Sequence, residues 1–138
     1  MRQQRIEAYS EFLAAYDAST VVASRTRKKI VDMESRSGQP EEDLHELAAA
    51  VHKLRQVRQR VKLVGPEPIH IRATALEDAV LDYRIDLEMV AEAKASGDPD
   101  AAQLFQQEYA GMRASADAHD SFVRATGALI EGRDTSHR

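Results

Sequence analysis

Apolar residues recur three and four apart through four long segments of this chain, the spacing that lays one stripe down an α-helix rather than alternating across a strand. Three short breaks separate the segments, Gly38-Gln39-Pro40, Gly65-Pro66-Glu67-Pro68 and Gly97-Asp98-Pro99, and together they hold every proline of the chain. Glycine accepts the conformation that ends a helix, and proline fits the first turn of the next. The pattern therefore predicts helices over about 2–36, 40–64, 68–96 and 99–131, all within one domain spanning 1–132, and a polar, disordered tail over 133–138.

Each predicted helix has a stripe of its own. The first reads Ile6, Tyr9, Leu13, Tyr16, Ser19, Ala23, Thr26, Ile30 and Met33, with Phe12 on its border. The second opens at Pro40, has Glu41, Glu42 and Asp43 at the positive end of the helix dipole, and buries Leu44, Leu47, Ala48, Val51, Leu54, Val57, Val61 and Val64. The third alternates steps of four and three throughout: Ile69, Ala73, Leu76, Val80, Tyr83, Leu87, Val90, Lys94. The fourth starts with Asp98 as N-cap before Pro99 and continues as Ala102, Phe105, Tyr109, Met112, Ala116, His119, Val123, Thr126 and Ile130.

At about 1.5 Å per residue these helices span roughly 35 to 50 Å, and such short breaks force sequence neighbours to lie antiparallel. The expected fold is all-α, an antiparallel up-down-up-down four-helix bundle with coiled-coil-like seams. Its rival is a pair of long helical hairpins that complete their core only with a second chain. A length of 138 residues suits a single core, and a 43% hydrophobic share against 30% charged residues matches helices with one face to water. No apolar run reaches the roughly 18 residues of a membrane span, and the N-terminus leads into an amphipathic helix, so a cytoplasmic protein is expected. Cysteine is absent, which removes disulfides, thiol nucleophiles and sulfur-ligated zinc.

Candidate chemistry is sparse. A two-metal carboxylate bundle needs a Glu-x-x-His step on two helices, all facing inward, and Glu42-x-x-His45 lies on the outward side of its helix. His45 and His52 share that solvated face. His119 alone lies within an apolar stripe, where a hydrogen bond to Tyr9, Tyr16 or Tyr83 is favoured over a role as general base. With no nucleophile elbow and no phosphate loop, the reading is of a non-enzymatic protein with no catalytic residue, no metal and no cofactor.

Charge is unevenly placed beneath a net value of −4. Lys53, Arg55, Arg58, Arg60 and Lys62 follow one another without an acid, whereas acidic residues dominate from Ala73 to Asp120. If the first hairpin folds at Gly38, Arg25, Arg27 and Lys28 come level with Lys53 and Arg55, and with Arg58 they form a basic patch able to hold nucleic-acid phosphates. The acidic third helix is placed to neutralise part of that patch, and a solvated or internally paired face is preferred. A second feature points to partners: Leu81, Ile85 and Met89 form an apolar ridge off the main stripe of the third helix, which predicts a homodimer through that face.

The block Ala8-Tyr9-Ser10-Glu11-Phe12-Leu13 after an arginine-rich start, followed later by Val61-Lys62-Leu63-Val64-Gly65-Pro66-Glu67-Pro68 and an alanine-rich helix, resembles small all-helical proteins of unknown function from high-GC Gram-positive bacteria. The resemblance implies a bacterial cytoplasmic helical protein and carries no site residue. The expected function is that of a helical interaction, scaffold or regulatory protein acting on a protein partner or on itself, the alternative being a nucleic-acid-associated accessory protein using the basic patch.

Overall fold

The computed structural model describes residues 2–32 and 40–130, and every secondary-structure element among them is an α-helix: α1 (Arg2–Val31), α2 (Glu41–Val64), α3 (Glu67–Ala95) and α4 (Ala101–Ile130). The expected end of the first helix at residue 36, the turn at Gly38, Met33 and the tail over 133–138 lie outside the described residues. α2 begins one residue after Pro40. α4 begins at Ala101, two residues later than expected; in the turn before it Asp98 Oδ1 accepts the Asp100 amide at 2.8 Å, so Asp98 braces the turn and is not the residue that caps the helix. Gly97, at φ 72°, supplies the left-handed residue between α3 and α4.

The helices run up-down-up-down. α1 packs on α2, α2 on α3 and α3 on α4, and the circuit closes between α4 and α1 through long side chains. There Phe122 meets Phe12 at 5.0 Å and Tyr9 at 6.0 Å between ring centroids, and Tyr16 stacks on His119 at 4.5 Å. The core is one cluster: Tyr9, Phe12, Ile30, Leu47, Leu54, Val61, Leu76, Leu87, Val90 and Phe122 are its largest fully buried apolar members. Its residual cavity, beside Tyr16, Ala23, Leu47 and Val80, is about 10 Å³, room for one water at most.

The third stripe is buried from Ile69 to Val90, and the second is buried with Leu44, Ala48 and Val64 at the margin. Two corrections apply elsewhere. Phe12 belongs to the centre of the core and not to the border of the first stripe. On α4 the buried line is Glu108, Ser115, Phe122 and Thr126, while Ala102, Tyr109, Ala116 and Val123 are exposed. A search for apolar spacing passes over this line because three of its four members are polar, and their burial is made possible by partners: Arg27 on α1 for Glu108, the Tyr16 hydroxyl, 3.5 Å away, for Ser115, and the Phe122 carbonyl for Thr126.

Close approach explains two glycines. A Cβ on Gly65 would stand 2.7 Å from the Tyr9 hydroxyl, and one on Gly111 would stand 2.6 Å from Asp86 Oδ2. Gly65 thus admits Tyr9 under the α2–α3 turn, and Gly111 lets α3 settle against α4. Cationic side chains cap the free carbonyls at helix ends: Arg5 Nε donates to Val64 O at 3.0 Å, and Lys94 Nζ to Val31 O at 3.5 Å.

Candidate interaction site

The basic residues are mostly occupied within the bundle. Arg25 contacts Asp43 at 3.3 Å and Glu46 at 2.6 Å, and Lys29 reaches the other oxygen of Asp43 at 3.0 Å. Glu77, only 3% exposed, receives Arg55 at 2.7 Å and also Arg58, which in turn contacts His70 at 3.0 Å. Arg27 Nε donates to both oxygens of the fully buried Glu108, at 3.0 and 3.1 Å, while its guanidinium lies 4.9 Å from the Phe105 ring centroid. Four of the six predicted patch residues, Arg25, Arg27, Arg55 and Arg58, are therefore paired internally, and Lys28 and Lys53 stand exposed.

The six do not form one patch. Arg25 lies opposite Asp43 and Glu46, Glu11 opposite Arg60, and Arg5 opposite Val64. That register sets Lys53 and Arg55 against the α1 segment around Ala15 to Ala18, so the two basic runs stand about eight residues, or roughly 12 Å, apart along the hairpin. A fold about Gly38 predicted them level; the observed ladder has its midpoint some three residues earlier in the chain.

The electrostatics follow the pairing. Burial pushes the Glu77 carboxyl up, but the hydrogen bonds and charges of Arg55 and Arg58 outweigh it and hold the group below its ordinary value. Burial, then the hydrogen bond to Glu108 and its charge, keep the Tyr83 hydroxyl protonated far above the usual phenol range. Asp86 goes the other way: burial and then the neighbouring acids Asp82 and Glu108 raise it.

Asp86 belongs to a surface groove of about 700 Å³ between α3 and α4. Ala75, Ala79, Ala110, Gly111 and Ala114 line it, with Gln107 the one longer side chain from α4. Asp78, Asp82 and Asp86, one helical turn apart, line its α3 wall with Ile85, which is 40% exposed. Met89, 47% exposed, extends the apolar edge one turn further. Leu81 is not part of this edge. It is half-buried and packed against the core, which breaks the predicted ridge of Leu81, Ile85 and Met89.

Among the described residues no group of three or more His, Asp or Glu side chains is placed to hold a metal ion, and Glu42 and His45 are both exposed. His119 is half-buried and stacks flat on Tyr16 instead of hydrogen-bonding a tyrosine, with Nδ1 3.6 Å from Asp120 Oδ1. No described helix is long and apolar enough to cross a membrane. Comparison with protein-family models, with curated proteins and with solved structures gives no match, so geometry alone carries the functional reading.

Proposed function

We propose that this bundle acts by contact and not by chemistry, as a cytoplasmic scaffold, adaptor or regulatory subunit whose α3/α4 groove receives a basic helical segment of another protein. The groove carries this reading. Alanine and glycine in its lining let a fifth helix approach closely, Ile85 and Met89 offer an apolar edge, and Asp78, Asp82 and Asp86 repeat at the four-residue step on which a helix presents Lys or Arg. Burial first and then the neighbouring acids raise Asp86, and cations there would relieve the second of these. The nucleic-acid alternative is less well supported, since the arginines it needs already serve Asp43, Glu77 and Glu108.

Affinity capture of the tagged chain from its native cell, in parallel with Asp82→Lys and with the exposed Lys53→Glu on α2, tests it. The expected result is a protein that co-purifies with wild type and Lys53→Glu, resists nuclease, and is lost with Asp82→Lys. Loss on Lys53→Glu, or recovery of nucleic acid in its place, would contradict the proposal.

A further inference from the structure

The apolar stripe drawn along α4 by its sequence is split lengthwise by the fold. Phe105, Met112, His119 and Thr126 turn toward the core, whereas Ala102, Tyr109, Ala116 and Val123 are exposed, Tyr109 at 50% and Val123 at 39%. These four recur at intervals of seven, the repeat that keeps a ridge facing a second helix along its whole length. α1 leaves the ridge open. It reaches α4 only through long side chains, and a shallow hollow of about 440 Å³ beside Arg27, Phe105 and Tyr109 lies at one end of the seam.

The sizes along the ridge run small, large, small, large, and this order selects the occupant. Placed against a copy of itself running the opposite way, with a two-fold axis between residues 112 and 113, Tyr109 falls opposite the partner's Ala116 and Val123 opposite the partner's Ala102. Every large side chain meets a small one, as close helix packing requires. A parallel pairing sets tyrosine on tyrosine and alanine on alanine. Charge agrees with the antiparallel choice. The register that puts Tyr16 beside His119 and Arg27 beside Glu108 brings the partner's Asp120 within two residues, about 3 Å along the helix, of the level of the exposed Lys28 of α1, and symmetry repeats that approach. The outer face of α3 is a poor rival, because a two-fold there gathers Asp78, Asp82 and Asp86 of both copies.

The geometry points to a homodimer in which α4 pairs antiparallel with α4 of a second copy through Ala102, Tyr109, Ala116 and Val123. The acidic groove lies on the other flank of α4, so the dimer leaves it free, and the two assignments stand or fall separately. Since the chain has no cysteine, single thiols report the pairing directly. Arg113→Cys places its sulfur beside the axis, within reach of a disulfide, whereas Tyr109→Cys holds the two sulfurs about 10 Å apart along the helices. Mild oxidation should yield a covalent dimer from Arg113→Cys and none from Tyr109→Cys or Ile85→Cys. Sedimentation of the wild type should give a dimer, and Ala116→Glu a monomer of unchanged helicity. A wild-type monomer at every concentration, cross-linking through Tyr109→Cys or Ile85→Cys instead, or no cross-linking through Arg113→Cys would each overturn the inference, whether or not Ala116→Glu folds.

Discussion

Tyr9 and Gly65 act as a unit at the α2–α3 turn. The Tyr9 hydroxyl is buried without a hydrogen-bond partner among the described residues, and it occupies the space a Gly65 side chain would need. Gly65→Ala should therefore cost about 1 to 3 kcal/mol, the usual penalty for overpacking, and a Tyr9→Phe background should recover much of it. Equal losses in both backgrounds, measured by denaturant unfolding, would locate the strain elsewhere. From the sequence Gly65 reads only as a helix stop; its φ of −106° is open to any residue, and the need for glycine comes from a tyrosine far away in the chain. Acid titration separates Asp86 from Glu77. Because the folded state raises Asp86, the folded chain keeps a proton that the unfolded chain releases above about pH 4, so this group lowers stability as pH rises through that window. Asp86→Asn should stabilise the protein at pH 7 and give little gain at pH 3. Glu77 has the opposite sign: its contribution is full above the unfolded value of about 4.3 and is lost as pH falls through its lower folded value, so Glu77→Gln should destabilise at pH 7 and matter progressively less in acid.

At the scale of the helix, legibility depended on whether apolar residues alone mark the buried line. They nearly do on α3, where Ile69, Ala73, Leu76, Val80, Tyr83, Leu87 and Val90 are all buried, although Glu77 is buried beside them and Lys94, at the end of the stripe, is only half-buried. On α4 Glu108 and Ser115 occupy core positions, so spacing pointed to a line rotated toward α1. Cross-helix contacts with Arg27 on α1 and the Tyr83 hydroxyl on α3 make sense of a fully buried glutamate, and no pattern within one helix contains them. The hairpin register of α1 and α2 was hidden for the same reason: Asp43, read as a dipole partner, is buried between Arg25 and Lys29 and sets the ladder. Arg27→Ala should cost about 3 to 5 kcal/mol by leaving Glu108 as a buried charge without its cation, and the pair Arg27→Met with Glu108→Leu should restore most of that stability. If Arg27→Ala proved as stable as wild type, the pair would be a bystander and the burial of Glu108 would need another cause.

Across the whole molecule, one charge asymmetry serves two purposes. The basic half sends four arginines, Arg25, Arg27, Arg55 and Arg58, across the bundle onto Asp43, Glu77 and Glu108, and this internal pairing ties each helix to a neighbour. The acids left outside gather on α3 facing α4, where alanine and glycine line much of the groove. The imbalance was visible in the sequence, but its division into a paired interior set and an open exterior set depends on helix rotation and register. The most direct test of the central claim is site-specific photo-cross-linking in the native cell, with the reactive side chain placed at Ile85 in the groove or at His45 on the outer face of α2. The account predicts that position 85 captures another protein through a helical segment rich in Lys or Arg, that the adduct disappears with Asp82→Lys, and that position 45 captures nothing specific. Adducts formed at position 45 and absent at 85, or adducts to nucleic acid, would contradict it.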